Sequence, residues 1–209
     1  MTAEHWDARY RESERLWSGK PNDALVREVS DLPPGRALDL GCGEGGDAVW
    51  LARRGWHVTA VDISRVALDR AARHAAEAGV AERIDFQWHD LARSFPAGEF
   101  DLVSAHFLHS PDDMPREEIL RTAASAVVRG GVLLIVGHGG PAPWDHDHAH
   151  VRLPTPQEVL ADLRLPEGQW EVQVCAEHER IQTAPDGKPA TRTDNTLRVR
   201  RLAAEEVSR

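Results

Sequence analysis

From Leu38 to Gly55 the chain reads LDLGCGEGGDAVWLARRG: a short apolar run, glycines at 41, 43, 45 and 46, then a helical pattern closed by Gly55. A strand that passes through so much glycine into a helix brings some group close to the backbone. The start of the helix favours negative charge there. Strand and helix patterns then alternate. Strands are expected at 37–40, 58–61, 84–88, 100–105 and 132–136. Helices are expected at 47–54, from the Ser64 cap to Gly79, and from Pro115 through a stripe ending at Val127. Such alternation implies a parallel sheet with helices on both faces.

The ends read differently. Asp7 to Leu16 reads as a polar helix, and Asn22 as the cap of a second one carrying Leu25, Val26 and Val29. Thr155-Pro156-Gln157-Glu158 is a capping box with proline at the first helical position. Residues 170–174 and 197–199 alternate apolar with polar around a turn-rich loop holding Pro185-Asp186-Gly187. That pattern implies an antiparallel hairpin on the sheet edge. The expected architecture is one α/β domain over 1–209, a doubly wound Rossmann-like seven-stranded sheet with an antiparallel C-terminal hairpin. Residues 1–34 are expected to form a helical lid.

Composition narrows the partners. A formal net charge of -9 with no basic block argues against a nucleic-acid surface, which needs clustered Lys and Arg. The apolar run Val132 to Val136 is far too short to span a bilayer. Two distant cysteines, Cys42 and Cys175, make no disulfide framework and suit a reducing cytoplasm. His146, His148 and His150 alternate in WDHDHAH, which reads as a solvated loop or, less simply, a metal site; no metal is expected.

Gly41, Gly43 and Gly46 satisfy G-x-G-x-x-G, so the glycine motif alone leaves a nicotinamide or flavin cofactor open. Two carboxylates weigh against it. Asp39, two residues before Gly41, can meet a ligand's ammonium, which a pyrophosphate gives no reason for. Asp62, ending the second strand, can accept from both ribose hydroxyls.

LDLGCGEGG, VTAVDIS, WHDL, FDLVSAHFLH and RGGVLLIVGH together resemble the successive motifs of class I S-adenosylmethionine-dependent methyltransferases. The resemblance implies S-adenosylmethionine as cofactor and S-adenosylhomocysteine as product. It implies that Asp39 and Gly41 hold the methionine end, that Gly43 also belongs to the cofactor site, and that Asp62 binds the ribose with Ile63 on the adenine. Asp90 would accept from the adenine amino group, and Leu91 would offer a backbone contact. Ala105 and His106 would close over the methyl group. The N-terminal Trp6, Tyr10 and Trp17 with Gly19-Lys20-Pro21 resemble the thiopurine, halide and tellurite-resistance group, which implies that Trp17 lies in a lid over the cofactor.

His106 and His109 after the fourth strand, and His138 after the fifth, stand where a parallel sheet opens its ligand crevice. His106 and His109 are the candidate catalytic residues, as bases or as binders of an anion. The expected activity is methyl transfer to a small molecule. The N-terminal resemblance favours a soft nucleophile, such as a thiol, halide or metalloid anion, over a phenol or amine. The alternatives are an NAD(P)-dependent oxidoreductase and a non-catalytic S-adenosylmethionine- or metal-binding protein.

Overall fold

The computed structural model describes residues 2–108, 114–142, 144 and 152–203. Seven strands form one sheet: β1 Arg36–Leu40, β2 His57–Asp62, β3 Ile84–Trp88, β4 Phe100–His106, β5 Val127–His138, β6 Trp170–Thr183 and β7 Pro189–Arg201. Their order is β3-β2-β1-β4-β5-β7-β6. The first five run parallel, and β7 is antiparallel to both neighbours. The strand order reverses between β1 and β4, and this is where an open α/β sheet leaves a crevice at its carboxyl ends.

Among the described residues six α-helices accompany the sheet: α1 Ala3–Arg11, α2 Asp23–Val29, α3 Gly46–Arg53, α4 Arg65–Glu77, α5 Arg116–Ser125 and α6 Pro156–Leu163. Successive strand residues point to opposite faces, and the core divides accordingly. On one face Ala37, Ala60, Leu102 and Leu134 pack with Leu25 and Val29 of α2, Leu51 of α3 and the buried Trp56. On the other, Leu38, Leu40, Val103 and Leu133 pack with Leu120 of α5, Val159 of α6 and Leu197 of β7. Asp39, Ser104 and His106 share the face of Ala37 and Leu102. They are the polar end of an otherwise apolar layer. No helix among the described residues is long and apolar enough to cross a membrane.

Three elements depart from the sequence reading. The first helix spans Ala3–Arg11 rather than 7–16. Its expected second half is captured by other elements: Leu16 and Trp17 donate their backbone N–H groups to Glu44, and Ser13 gives its carbonyl to Arg70. The fifth strand begins at Val127, a residue that helical spacing assigned to the preceding helix. The hairpin strands are far longer than their apolar alternation, because β6 and β7 pair through thirteen registers out to Thr183 and Pro189. The outer part of that ladder rests on backbone pairing, and its Ile181 is 76% exposed.

Gly45 joins the glycine turn to α3 with φ +82, and a Cβ there would stand 2.9 Å from the Ala71 Cβ of α4. Gly79 has a similar φ of +69 and nothing within 4 Å. Gly79→Ala should therefore cost only the left-handed penalty of about 1–2 kcal/mol. Gly45→Ala should cost a further ~1–3 kcal/mol, because overpacking is added to it. Urea unfolding of both variants checks the difference; equal losses would show that the α3–α4 approach is not tight.

Candidate active site

The glycine turn is shaped by two acceptors at the end of β2. The Val61 carbonyl accepts from both Gly41 N and Cys42 N at 2.9 Å. The Asp62 carboxylate accepts from Gly43 N through Oδ2 and from Ser64 N through Oδ1, both at 2.9 Å. Asp62 is buried, which pushes its carboxyl up despite those amides. Each of its oxygens retains a further lone pair.

Asp39 lies on β1 opposite Ser104 of β4 and is 2% exposed. Its Oδ2 is buried and has no hydrogen-bond partner. Burial, and then the charge on Asp47, push its carboxyl up to about 7. A buried carboxylate without a partner is costly, so this arrangement suits a proton or a cationic donor at Oδ2.

His106, the last residue of β4, donates from Nδ1 to Asp47 Oδ2 at 2.6 Å, and both side chains are buried. Asp47 stands in the first turn of α3, where a helix start favours an acid. It also accepts from Asn22 N at 2.7 Å through Oδ1 and from Asn22 Nδ2 at 2.8 Å through Oδ2. Burial works against its charge, but His106 and the Asn22 donors outweigh it and hold the carboxyl below the ordinary aspartate range. The other ring nitrogen, Nε2 of His106, is buried without a partner.

The N-terminal segment closes over this turn. Tyr10 is buried, and its hydroxyl accepts from Trp17 Nε1 at 3.0 Å. A Cβ on Gly43, whose φ is +53, would meet that hydroxyl at 3.0 Å and the Trp17 ring at 3.5 Å, so only glycine fits beneath them. Burial and the charge on Asp62 both push the Tyr10 hydroxyl's pKa up and keep it protonated. Glu44 accepts from Leu16 N, Trp17 N and Arg70 Nη1, and Asp7 accepts from Ser64 Oγ and Val66 N.

The predicted residues thus divide. Asp39, Gly41, Gly43, Asp62, Ala105, His106 and Trp17 gather at the carboxyl ends of β1, β2 and β4. Ile63 lies beside them, its carbonyl accepting from Trp88 Nε1. Asp90 and Leu91 follow β3. There Asp90 Oδ1 accepts from Ala92 N in a turn, Oδ2 pairs with Arg93 at 3.4 Å, and Leu91 packs on the second core cluster. His109, and the loop with His146, His148 and His150, lie outside the described residues. Among the described residues no cluster could hold a metal ion. His138 is the last residue of β5. It stacks on Phe107 with ring centroids 4.3 Å apart and hydrogen-bonds Asp194 of β7 at 3.1 Å. Sequence reasoning placed Tyr10 in the N-terminal lid segment, read Asn22 only as a helix cap, and missed Glu44 and Asp47. Of the last two, only Asp47 left a signal, as an acid at a helix start.

Comparison with known proteins bears on the domain and the fold. Residues 37–131 match the methyltransferase domain family. The chain is 34% identical over 101 residues to probable thiol methyltransferase 2 of Arabidopsis thaliana, covering 47% of this chain and 45% of that protein. It is 35% identical over 116 residues to the ubiquinone biosynthesis O-methyltransferase of Marinobacter nauticus, covering 53% and 47%. The matches thus span about half the length of these relatives. A solved structure from work on the conversion of a disulfide bond into a thioacetal group during echinomycin biosynthesis aligns with a TM-score of 0.72. It shares 24% identity and covers 97% of this chain and 94% of that one, a likeness of fold. The matched domain, the sheet order and the glycine turn between its two carboxylates make this chain similar to the class I S-adenosylmethionine-dependent methyltransferases.

Proposed function

We propose that this protein transfers the methyl group of S-adenosylmethionine to a small molecule. The observation that carries the reading is the buried, unpartnered Oδ2 of Asp39 beside the glycine turn. The α-ammonium of S-adenosylmethionine supplies the charged N–H donor this carboxylate lacks; the pyridinium of an oxidised nicotinamide carries charge but no N–H on its ring nitrogen. The remaining lone pairs of Asp62 suit two ribose hydroxyls, and Ile63 lies next to it for the adenine. Asp90 and Leu91 are the adenine-side candidates. When bound, the cofactor supplies an electrophilic methyl on a sulfonium, so the chain's work is positioning and exclusion of water. Tyr10 and Trp17 do the covering, and their ring faces favour a nearby positive charge. Residues 3–22 act as a cover latched by Asp7, Glu44 and Asp47. The acidic charge and the lack of a basic block favour a small acceptor over nucleic acid. The relatives carry names for both thiol and O-methylation, so the acceptor class is argued from this chain's own residues below.

Calorimetric titration with S-adenosylmethionine and with NADH tests the cofactor. Binding of NADH alone would return the chain to the oxidoreductase alternative. Asp39→Asn should weaken S-adenosylmethionine binding by about 1.5–3 kcal/mol, the range for hydrogen bonds to a charged group.

The raised Asp39 also fixes a sign. The free carboxyl is pushed up to about 7, and a bound ammonium pulls it down, so binding releases a proton below that pH. Affinity should therefore fall as the pH drops from about 7, by up to about tenfold per unit, and this dependence should vanish in Asp39→Asn. A wild-type affinity flat through that range would place the ammonium elsewhere.

Glu44→Gln tests the cover. A glutamine cannot accept from both the Leu16–Trp17 backbone and Arg70, since one of its two positions is now a donor. Hydrogen exchange should speed up at Leu16 and Trp17 while the sheet amides stay protected. Unchanged protection there would mean that Glu44 does not hold the segment down.

A further inference from the structure

We infer that Asp47 and His106 form a proton-accepting pair, and that the methyl acceptor attacks through a hydroxyl of the phenol or enol kind; this rests on the methyl-transfer reading above.

The geometry fixes the tautomer. Asp47 is ionised and acceptor-only, and all three groups around it are donors: Asn22 N, Asn22 Nδ2 and His106 Nδ1. The proton of the neutral imidazole therefore sits on Nδ1, and Nε2 presents a lone pair. That nitrogen is buried and has no partner. The arrangement is a carboxylate orienting a histidine whose far nitrogen is ready for a proton, the logic of a base with its orienting acid. A thiolate, halide or metalloid anion has no proton to give up. It would also arrive against the buried carboxylates Asp39, Asp47 and Asp62, and the charges of Asp47 and Asp62 already push the Asp39 carboxyl up. A neutral hydroxyl avoids that repulsion and needs the base, because a phenol of ordinary pKa, about 10, keeps its proton near neutral pH. The N-terminal resemblance favours a soft nucleophile; these residues point the other way.

In the step, the acceptor oxygen forms its bond to the methyl carbon as the carbon–sulfur bond breaks, with the electron pair leaving on sulfur. The hydroxyl proton passes to Nε2, and Asp47 stabilises the resulting imidazolium across the Nδ1 hydrogen bond. Asp47 touches no reacting atom, so it is a positioning residue.

Asp47→Asn is a decisive variant because Asn22 dictates how the new amide sits. The Asn22 backbone N–H needs an oxygen opposite it, so the amide nitrogen turns towards His106 Nδ1. The Asn22 side-chain amide can turn over to accept, and the imidazole must then carry its proton on Nε2. The pair keeps its shape and loses its base. The test uses the full chain with saturating S-adenosylmethionine and a series of phenols from unsubstituted phenol to an acidic nitrophenol. Iodide and a small thiol serve as comparison acceptors. Wild type is expected to methylate the phenols. Asp47→Asn and His106→Gln should lose about 10²–10⁴-fold in kcat on the least acidic phenol. The loss should shrink along the series, since a phenol already ionised needs no base. Far-UV circular dichroism should be unchanged, and kcat is read at cofactor saturation for each variant, which separates the effect from misfolding and from weaker cofactor binding. A loss equal for every phenol, or a wild type that methylates only iodide or the thiol, would overturn this inference and leave the methyl-transfer reading standing. A wild type that does not bind S-adenosylmethionine would overturn both.

Discussion

The hydrogen bond from Gly43 N to the buried Asp62 carboxylate is the contact on which the site depends. It ties the turn after β1 to the end of β2, and the other oxygen of the same carboxylate takes Ser64 N, just where α4 begins. One side chain thus sets the spacing of two strand ends and one helix start. Charge-assisted bonds of this kind are short and roughly twice as strong as neutral ones. Burial makes the carboxylate costly, and the amides aimed at it are what keep it tolerable. The turn above Gly43 then has room only for a backbone without a side chain, and Tyr10 and Trp17 fill the rest.

Carboxylates recur as joints between elements that are distant in sequence. Asp7 of α1 reaches the start of α4 and stands beside its Ser64 cap. Glu44 of the glycine turn receives the backbone of residues 16 and 17 and the Arg70 guanidinium of α4. Asp47 of α3 receives Asn22, at the entrance of α2, and His106 at the end of β4. Each joint is at least partly buried and each acceptor has several donors, so these are stronger than exposed ion pairs, which contribute little. The same joints bring the N-terminal segment and His106 into one network through Asp47 and Asn22.

Much of this was legible in the sequence where local pattern and final packing agree. The strand cores around Leu38, Val58, Phe86, Val103 and Leu133 were visible because each is a short apolar run between turn signals. Thr155 and Glu158 announced α6, and they do form the reciprocal cap. Asp39, Asp62 and the glycines were legible because a strand end feeding a glycine turn restricts what can stand there. The misses share a cause. Glu44 and Asn22 matter through partners 25 or more residues away, and spacing along the chain holds no trace of that. The outer half of β6 was invisible because WEVQVCAEHERIQT is polar on both faces there, and its strand form comes from pairing with β7 rather than from a buried side.

The order of the sheet also bears on how the chain comes together as it is made. β5 carries Val132, Leu133, Leu134, Ile135 and Val136, and its outer edge is covered only by β7, which ends at Arg201. During synthesis the parallel strands can assemble well before that cover has left the ribosome. For that interval the most apolar strand of the protein presents an open edge, the kind of surface that invites pairing with another chain. The long β6–β7 ladder answers this hazard. Its contacts are local in sequence, so the hairpin can form early and quickly once its turn at 184–188 exists. It then arrives at β5 as a ready-made two-stranded unit, with Leu197 and Val199 placed to close the core.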